Sequence, residues 1–591
     1  MRAHGARIGA IHRFIDFLRR TVTSPLLGPP VHVSVLREGF RPGVRVDRYP
    51  GRSGAVAACR FNDIELPVFV GKTIFEHADL RRDIRVPTSC NRNGECHECI
   101  VEVHEGLQAL GPRTDPEKFL SDPYRLACQA VVLRDDVPLS FSTLKRKPKI
   151  LTNSTTISVP LRPRTRREGE YVVRNGERID KYSGAVYGVA LDVGTTTIVG
   201  QLVDLETGER KLTAAFENPQ IFGGSNVLHR ISYANNDPNG ELKRVLVGHL
   251  NGELRRLAKR RQVYEMVVAG NPTMRDIFFG IDVRTIGVKP FKSITEHEML
   301  AGKRKSTALT ANPKDLELYM NHRGLVHGMP LVSCHVGADT AAGILATRLY
   351  ERERPSILMD MGTNTEVVLG NRDRLIAASC PAGPAFEGSG LRCGMPGLEG
   401  AIEWVKLNGG KPQYGVIGDV KPRGICGSGV VDILAELTRA GMVSSLGRFT
   451  DGVTEFMIAP EHKIGLDRQD LSQLAQAKAA NYAGQQILLR KYGIGWDDLE
   501  YFFFSGGFAN YLNVENAQAV GLIPPIDPQK VMKVGNTSLE GAAQVLVNED
   551  LREKIEEVVK TVEHIELESE PDFFDIYVEG CLLEPMSPLP D

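Results

Sequence analysis

Residues 87–99 read PTSCNRNGECHEC and place Cys90, Cys96 and Cys99 in one short stretch; Cys128 follows after a further 28 residues. Thiols at this spacing can hold a metal or an inorganic cluster. Structural zinc favours two paired knuckles, each with two ligands two to four residues apart. Three thiols on one loop and a remote fourth instead match the ligand set of a [2Fe–2S] cluster. The first gap here is one residue longer than in the C-x4-C-x2-C…C spacing. A loop around inorganic sulfur needs left-handed backbone and free N–H groups, which Asn91, Asn93 and Gly94 are suited to supply. Cys90, Cys96, Cys99 and Cys128 are the expected metal ligands. Zinc, or four unrelated buried thiols, are the alternatives. Cys59 falls outside the pattern and reads as a core residue.

A second constellation is built for phosphate. LDVGTTTIVGQLVD (191–204) turns at Gly194 between two apolar runs, and MDMGTNTEVVLG (359–370) repeats the arrangement at Gly362. Glycine hairpins with hydroxyls and free N–H groups can grip phosphate oxygens. A carboxylate just before the turn can hold Mg²⁺ through water. Asp192 and Asp360 take that part, with Asp339 in HVGADTAAGIL as a third acid to order Mg²⁺ or water. Gly194, Thr195, Thr196, Thr197, Gly362, Thr363, Asn364 and Glu366 are the expected phosphate-side residues. Two later Gly-rich turns, GICGSGVVDIL (424–434) and FFFSGGFANYL (502–512), open helices and let backbone approach a nucleoside closely, through Gly427, Ser428, Gly506 and Gly507. One Asp-x-Gly-Thr is often only a β-turn; two in register with two later turns predict a clasp for the phosphates of one nucleotide, with Mg²⁺. The P-loop pattern G-x-x-x-x-G-K-[ST] is absent.

The elements that must position these residues are readable from patterning. AVAACRF and ELPVFV predict a hairpin about Asn62-Asp63, TIFEHADLRRD a short helix capped by Thr73 with Glu76, and IVEVHEG and RLACQAVV two further strands. Residues 143–184 read as a linker, part of which can form a small connecting domain, since ILTNSTTISV has β character. From Tyr187, strands YGVALDVG, TIVGQLVD, MVVAGN, PLVSC, ILMDMG, TEVVLG and FFFSGG alternate with helical stretches, which is α/β patterning. The sections from 187 and from 355 open alike, predicting an internal duplication. The expected divisions are an N-terminal extension (1–53), a cysteine domain (54–142), the linker, two α/β halves (185–350 and 351–545) and a C-terminal tail (546–591).

Bulk properties exclude several classes. The 591 residues are 42% hydrophobic and 25% charged with a net charge of −1, so nothing global favours nucleic acid or an anionic membrane. No apolar run is long enough for a transmembrane helix. Ten cysteines in this length favour a reducing, cytoplasmic setting over a secreted disulfide scaffold. RIGAIHRFIDFLRR (7–20) is basic with helical spacing and reads as a docking helix or an arm, with a targeting or membrane-surface segment as the alternative.

Residues 54–142 resemble the ferredoxin family, with His97 where such loops often carry glycine. Residues 185–545 resemble the superfamily of acetate and sugar kinases, Hsp70 and actin. Together, and with ENPQIFGGSNVLHRI, VVAGNPTMRDIFFGID, SCPAGPAFEGSGLRCGM and VGNTSLEGA, the chain from about 55 to 585 resembles the reductive activators of corrinoid proteins. Asn226 and Pro272 stand where that family usually has an acidic residue and a threonine. The resemblance implies a β-grasp ferredoxin-like α+β domain joined by a linker to duplicated α/β actin-like (ribonuclease H-like) halves. It implies an ATP-hydrolysing one-electron reductase that converts a corrinoid protein's Co(II) to Co(I). The partners implied are that corrinoid protein of a methyltransferase system and an upstream electron donor, with room for a homodimer. A 2-hydroxyacyl-CoA dehydratase activator, a redox-sensing nucleotide switch and a small-molecule kinase are the alternatives. Cys334, Cys380, Cys393 and Cys426 lack tight ligand spacing and read as buried small hydrophobes.

Overall fold

A computed structural model describes residues 59–62, 64–81, 84, 86–144, 158–388, 390–507 and 509–587. The 1–53 extension, the 7–20 helix, residues 55–58 of the first predicted strand and residues 150–157 of the linker lie outside them.

Strands β1 (Cys59–Phe61), β2 (Ile64–Leu66), β3 (Ile100–Glu105), β4 (Tyr124–Leu126) and β5 (Leu139–Thr143) form one sheet in the order β2-β1-β5-β3-β4. β1 and β5 run parallel and the other pairs antiparallel. The β1–β2 hairpin turns at Asn62, whose φ of 49° suits asparagine. Pro67 ends β2 early, because proline cannot donate to the ladder. Thr73 caps the helix Ile74–Ala78 in a reciprocal box with Glu76, as its sequence predicts. RLACQAVV is strand only to Leu126. Its chain then turns, with Ala130 N–H bonded to Leu126 O, so Cys128 sits on a turn rather than on a strand.

The predicted linker contains an ordered three-stranded antiparallel sheet, β6 (Thr165–Glu168), β7 (Tyr171–Arg174) and β8 (Glu177–Lys181). Arg and Glu on its exposed face hid its alternation, while Val172 and Val173 are buried.

Two larger sheets follow. In lobe one, β9 (Tyr187–Val193), β10 (Thr197–Asp204), β11 (Arg210–Glu217), β12 (Val263–Ala269), β13 (Leu309–Ala311) and β14 (Leu325–Gly328) adopt the order β11-β10-β9-β12-β14-β13. In lobe two, β15 (Ser356–Met361), β16 (Thr365–Gly370) and β17 (Leu375–Cys380) form the equivalent meander. A small sheet, β18 (Ala401–Asn408), β19 (Lys411–Val416) and β20 (Gly424–Ile425), and a hairpin, β21 (Glu455–Ala459) and β22 (Ile464–Asp467), are inserted. β23 (Phe502–Gly506), β24 (Val531–Gly535) and β25 (Val562–His564) complete the order β24-β23-β15-β16-β17-β25. The series β11-β10-β9-β12-β14 and β17-β16-β15-β23-β24 coincide, which is the duplication. PLVSC (330–334) is not a strand; the apolar run there is buried loop after β14.

Helices Ala338–Thr347 and Thr537–Val547 pack on each other between the two sheets. Gly541 permits this, since a Cβ there would stand 2.2 Å from the Ala342 carbonyl oxygen. The C-terminal segment is not a tail. Arg552 forms a buried ion pair with Glu265 of β12, β25 pairs with β17, and helix Phe573–Gly580 packs on the long helix Arg468–Tyr492. Thr165 of the small sheet donates to the same Glu265 (2.5 Å). Among the described residues, no helix is long and apolar enough to cross a membrane.

Candidate functional site

The four cysteines converge as two pairs. Cys99 Sγ and Cys128 Sγ are 3.4 Å apart, both buried, while Cys90 and Cys96 are partly exposed around the Thr88 hydroxyl, 4.0 and 3.9 Å from their sulfurs. Burial raises the Cys90 thiol, but the N–H groups of Gly94, Glu95 and Cys96 and the Cys96 thiol outweigh it and bring it down to about 7. The hydrogen bond from Cys99 carries Cys128 down to about 6, with help from Gln129 at 3.4 Å. N–H groups aimed at sulfur favour thiolate, the form that binds iron. Two pairs of free thiols, three on the loop and Cys128 on the turn after β4, fit two irons, so the donor set suits a [2Fe–2S] cluster.

The loop's backbone differs in detail from expectation. Asn91 (φ 53°) and Gly94 (φ 86°) are left-handed, but so are Arg92 (φ 68°) and His97 (φ 58°), whereas Asn93 is not. Asn93 instead accepts the Glu95 N–H through Oδ1 (3.1 Å). Arg92 is held by Asp79 and by stacking 3.9 Å over Phe75. A Cβ on Gly94 would meet Pro116 at 2.9 Å.

His97 takes the strained conformation because its ring is anchored in lobe one. Its Nδ1 lies 2.6 Å from the Glu241 carboxylate, both groups buried, and it stacks on Phe119 at 4.2 Å. Phe119 meets Phe222 edge-on, Phe222 meets Tyr233, and the Tyr233 hydroxyl donates to Phe119 O (2.8 Å). Arg244 donates to the Glu95 carbonyl. The cysteine loop thus rests on helices Val227–Asn235 and Glu241–Leu257. Asn226 caps the first by accepting His229 N–H (2.9 Å), work an acidic residue would also do.

Every phosphate-side and nucleoside-side residue expected from sequence lines one cavity of about 410 Å³ between the lobes. Asp192, Asp339 and Asp360 meet there, the first from β9, the second from the first turn of helix Ala338–Thr347, the third from β15. The two hairpins touch: Thr196 Oγ1 and Thr363 Oγ1 are 3.2 Å apart. Burial raises all the acids. Asp192 rises to about 7 against a hydrogen bond from Asn536 (2.7 Å), and Asp360 to about 6 against one from Ser505 (3.0 Å). Asp339 rises to about 7 by burial and the Asp360 charge, despite the Thr340 N–H. Burial, then the charges of Asp339 and Asp360, push Glu366 far above the usual carboxylate range. Crowded buried carboxylates of this kind are relieved by a divalent cation.

Several site residues had no role in the sequence reading. Glu387 accepts hydrogen bonds from Thr196 (3.2 Å) and Thr363 (2.6 Å), joining the two hairpins. Asn271 and Asn536 each cap a helix through Oδ1 and reach into the cavity through Nδ2, to Thr195 (2.9 Å) and Asp192. Asn218 donates to Gly194 O (2.8 Å) and fixes the first hairpin. All lie in stretches quoted above. The usable signal was an asparagine directly before a helical run. Pro272 follows Asn271 at the first helical position, where its missing N–H costs nothing. Of the four cysteines read as buried small hydrophobes, Cys334, Cys380 and Cys426 are buried, but Cys393 is partly exposed beside the Lys463 carbonyl.

Comparison with known proteins decides the family. Residues 61–133 match the "2Fe-2S iron-sulfur cluster binding domain", 187–352 the "RACo middle region" and 354–590 the "C-terminal domain of RACo the ASKHA domain". The "Corrinoid activation enzyme RamQ" of Eubacterium limosum is 33% identical over 70% of this chain and 74% of its own. The chain belongs to the reductive activators of corrinoid proteins. The "[Co(II) methylated amine-specific corrinoid protein] reductase" of Methanosarcina barkeri is 28% identical over 66% of this chain and 76% of its own. The solved "Reductive activator for corrinoid,iron-sulfur protein" superposes with a TM-score of 0.66 at 26% identity, covering 90% of this chain and all of that one. This activator therefore has both halves of the family, a [2Fe–2S] domain and an ATP-binding ASKHA domain, in one polypeptide.

Proposed function

We propose that this activator uses ATP to deliver one electron to a corrinoid protein of a methyltransferase system, converting its Co(II) to Co(I). The observation that carries the reading is the joining of two sites in one chain: a four-cysteine loop seated on lobe one, whose Asp192 hairpin meets the Asp360 hairpin of lobe two.

Cys90, Cys96, Cys99 and Cys128 hold the [2Fe–2S] cluster, which supplies a one-electron store; plant-type clusters lie near about −400 mV. Loop N–H groups stabilise the charge on sulfur. Thr195, Thr196, Thr197, Thr363 and Asn364 bind phosphate oxygens, Gly427, Ser428, Gly506 and Gly507 face the nucleoside, and Asp192, Asp339 and Asp360 gather Mg²⁺ and order water. Glu387 holds the two hairpin hydroxyls until phosphate oxygens take them over. That exchange links nucleotide occupancy to the spacing of the lobes. An acceptor harder to reduce than the donor requires coupling, since each 59 mV of one-electron mismatch costs about tenfold in equilibrium. Differential binding of the closed lobes to the corrinoid protein supplies it, and hydrolysis releases the complex. A soluble donor in a reducing, cytoplasmic compartment recharges the cysteine domain.

The test is anaerobic. Chemically reduced activator is mixed with a Co(II) corrinoid protein from the same genome, and the visible spectrum is followed with and without Mg-ATP. Co(I) appearing only with ATP is expected. Failure with every such corrinoid protein, despite an intact cluster spectrum, overturns the reading.

A further inference from the structure

Cys334 does not sit among hydrophobes. It lies in the loop before helix Ala338–Thr347, with a left-handed backbone (φ 47°), and its sulfur is buried 3.4 Å from Lys292 Nζ. Facing it from lobe two are His564, the last residue of β25, and Glu566. The intervening Ile565 donates to Ala377 O and points into the core, so the two-residue period of extended chain turns His564 and Glu566 the same way. One ligand atom from each of Cys334, His564 and Glu566 lies within 4.8 Å of the others. Neither the His564 ring nor the Glu566 carboxylate makes a hydrogen bond with another described residue. Lys292 is balanced by Glu296 (3.4 Å), which also accepts the Cys334 N–H (3.0 Å). With Cys334 as thiolate, Glu296, Glu566 and Lys292 leave the group two charges negative, which suits a divalent cation.

We propose that Cys334, His564 and Glu566 form a zinc site bridging the two lobes. A mixed sulfur, nitrogen and oxygen set with three protein ligands is a zinc donor set, and the fourth position is open to water. Bond lengths of 2.0–2.3 Å put the atoms of a tetrahedral set with one sulfur about 3.3–3.6 Å apart, so atoms already within 4.8 Å of one another need move inward by no more than about 1.5 Å to close on one ion across the two lobes. The Cys334 loop leads directly into the first turn carrying Asp339. Zinc would thereby tether a cavity acid of lobe one to the edge strand of lobe two. The proposal is independent of which acceptor the activator serves.

Full-length protein with its iron–sulfur cluster assembled is incubated with zinc sulfate and dialysed against a weak chelator. Zinc and iron are counted, and the zinc K-edge is measured, which sees zinc without interference from iron. About one zinc per chain is expected, with a single sulfur neighbour and nitrogen or oxygen neighbours, and a raised melting temperature. His564→Ala and Glu566→Gln should each lower zinc retention at least tenfold while iron content stays unchanged; Cys334→Ser should do the same and abolish the sulfur neighbour. No zinc retained by the wild type, retention undiminished in His564→Ala, or a four-sulfur shell marking zinc at the cluster cysteines would each overturn the proposal.

Discussion

The two lobes share a sheet but not its chemistry. Across lobe one, paired positions read Ala269, Asp192, Val199 and Ala215; across lobe two, the same row reads Ser505, Asp360, Glu366 and Ser379. One acid flanked by apolar residues faces two acids flanked by hydroxyls. Ser505 donates to Asp360 and Ser379 to Glu366 (3.2 Å). The repeat has kept the hairpin that presents backbone to phosphate and has let side-chain chemistry diverge, placing a second carboxyl group in this row of lobe two, while the second acid of lobe one, Asp339, comes from a helix. Lobe one diverges outward instead, where it carries the cysteine domain.

The largest effect should come from removing the acid of the richer row. Asp360→Asn is expected to lower Mg-ATP turnover about 100-fold, the scale of losing one preorganised electrostatic group, with iron content unaltered. Asp192→Asn should lower it as much if both acids gather Mg²⁺; a small effect at Asp192 alone would show that lobe two does the work. Glu387→Gln should tighten ATP binding about tenfold, because a like charge no longer competes with phosphate for the Thr196 and Thr363 hydroxyls. Weaker binding would instead make Glu387 a contributor to the site. Calorimetric titration decides.

The pH dependence of the nucleotide-free protein sharpens the comparison further. Asp192 and Asp339 titrate near 7 and Asp360 near 6 when folded, against about 4 unfolded. The folded chain therefore binds more protons across this window, and stability falls as pH rises from about 4 to about 7, then levels. Melting temperatures between pH 5.5 and 8 should decline, and Asp360→Asn should flatten the lower part of that decline. The smallest effect concerns the outward difference. His97→Gly relieves a left-handed residue but removes a stacked, buried hydrogen bond, a net loss of about 2 kcal/mol. Hydrogen exchange in helix Glu241–Leu257 should rise while the cluster spectrum persists.

The sequence made the site legible where function restricts residue type. Two Asp-x-Gly-Thr hairpins and two Gly-rich turns could be seen as one set, and they do line one cavity. Four cysteines could be grouped by spacing alone, and they converge. What stayed hidden depends on tertiary partners. His97 looked like an intrusion in a glycine position until Glu241, 144 residues away, came beside it. Glu387 had no local pattern because its partners are one threonine from each repeat. The sheet at 165–181 and β25 were missed because each is short, half-exposed and stabilised by distant pairing, of which β25 with β17 is an example.

One buried hydrophobic cluster runs without a break from Phe61 and Phe141 of the cysteine domain through Phe222 and Leu246 to Met266 of lobe one. Modularity of descent is therefore not modularity of material. A ferredoxin-like piece cut out at residue 144 would carry away a face whose other half stays behind, and a chimera that borrows this piece from a relative must borrow helix Glu241–Leu257 with it.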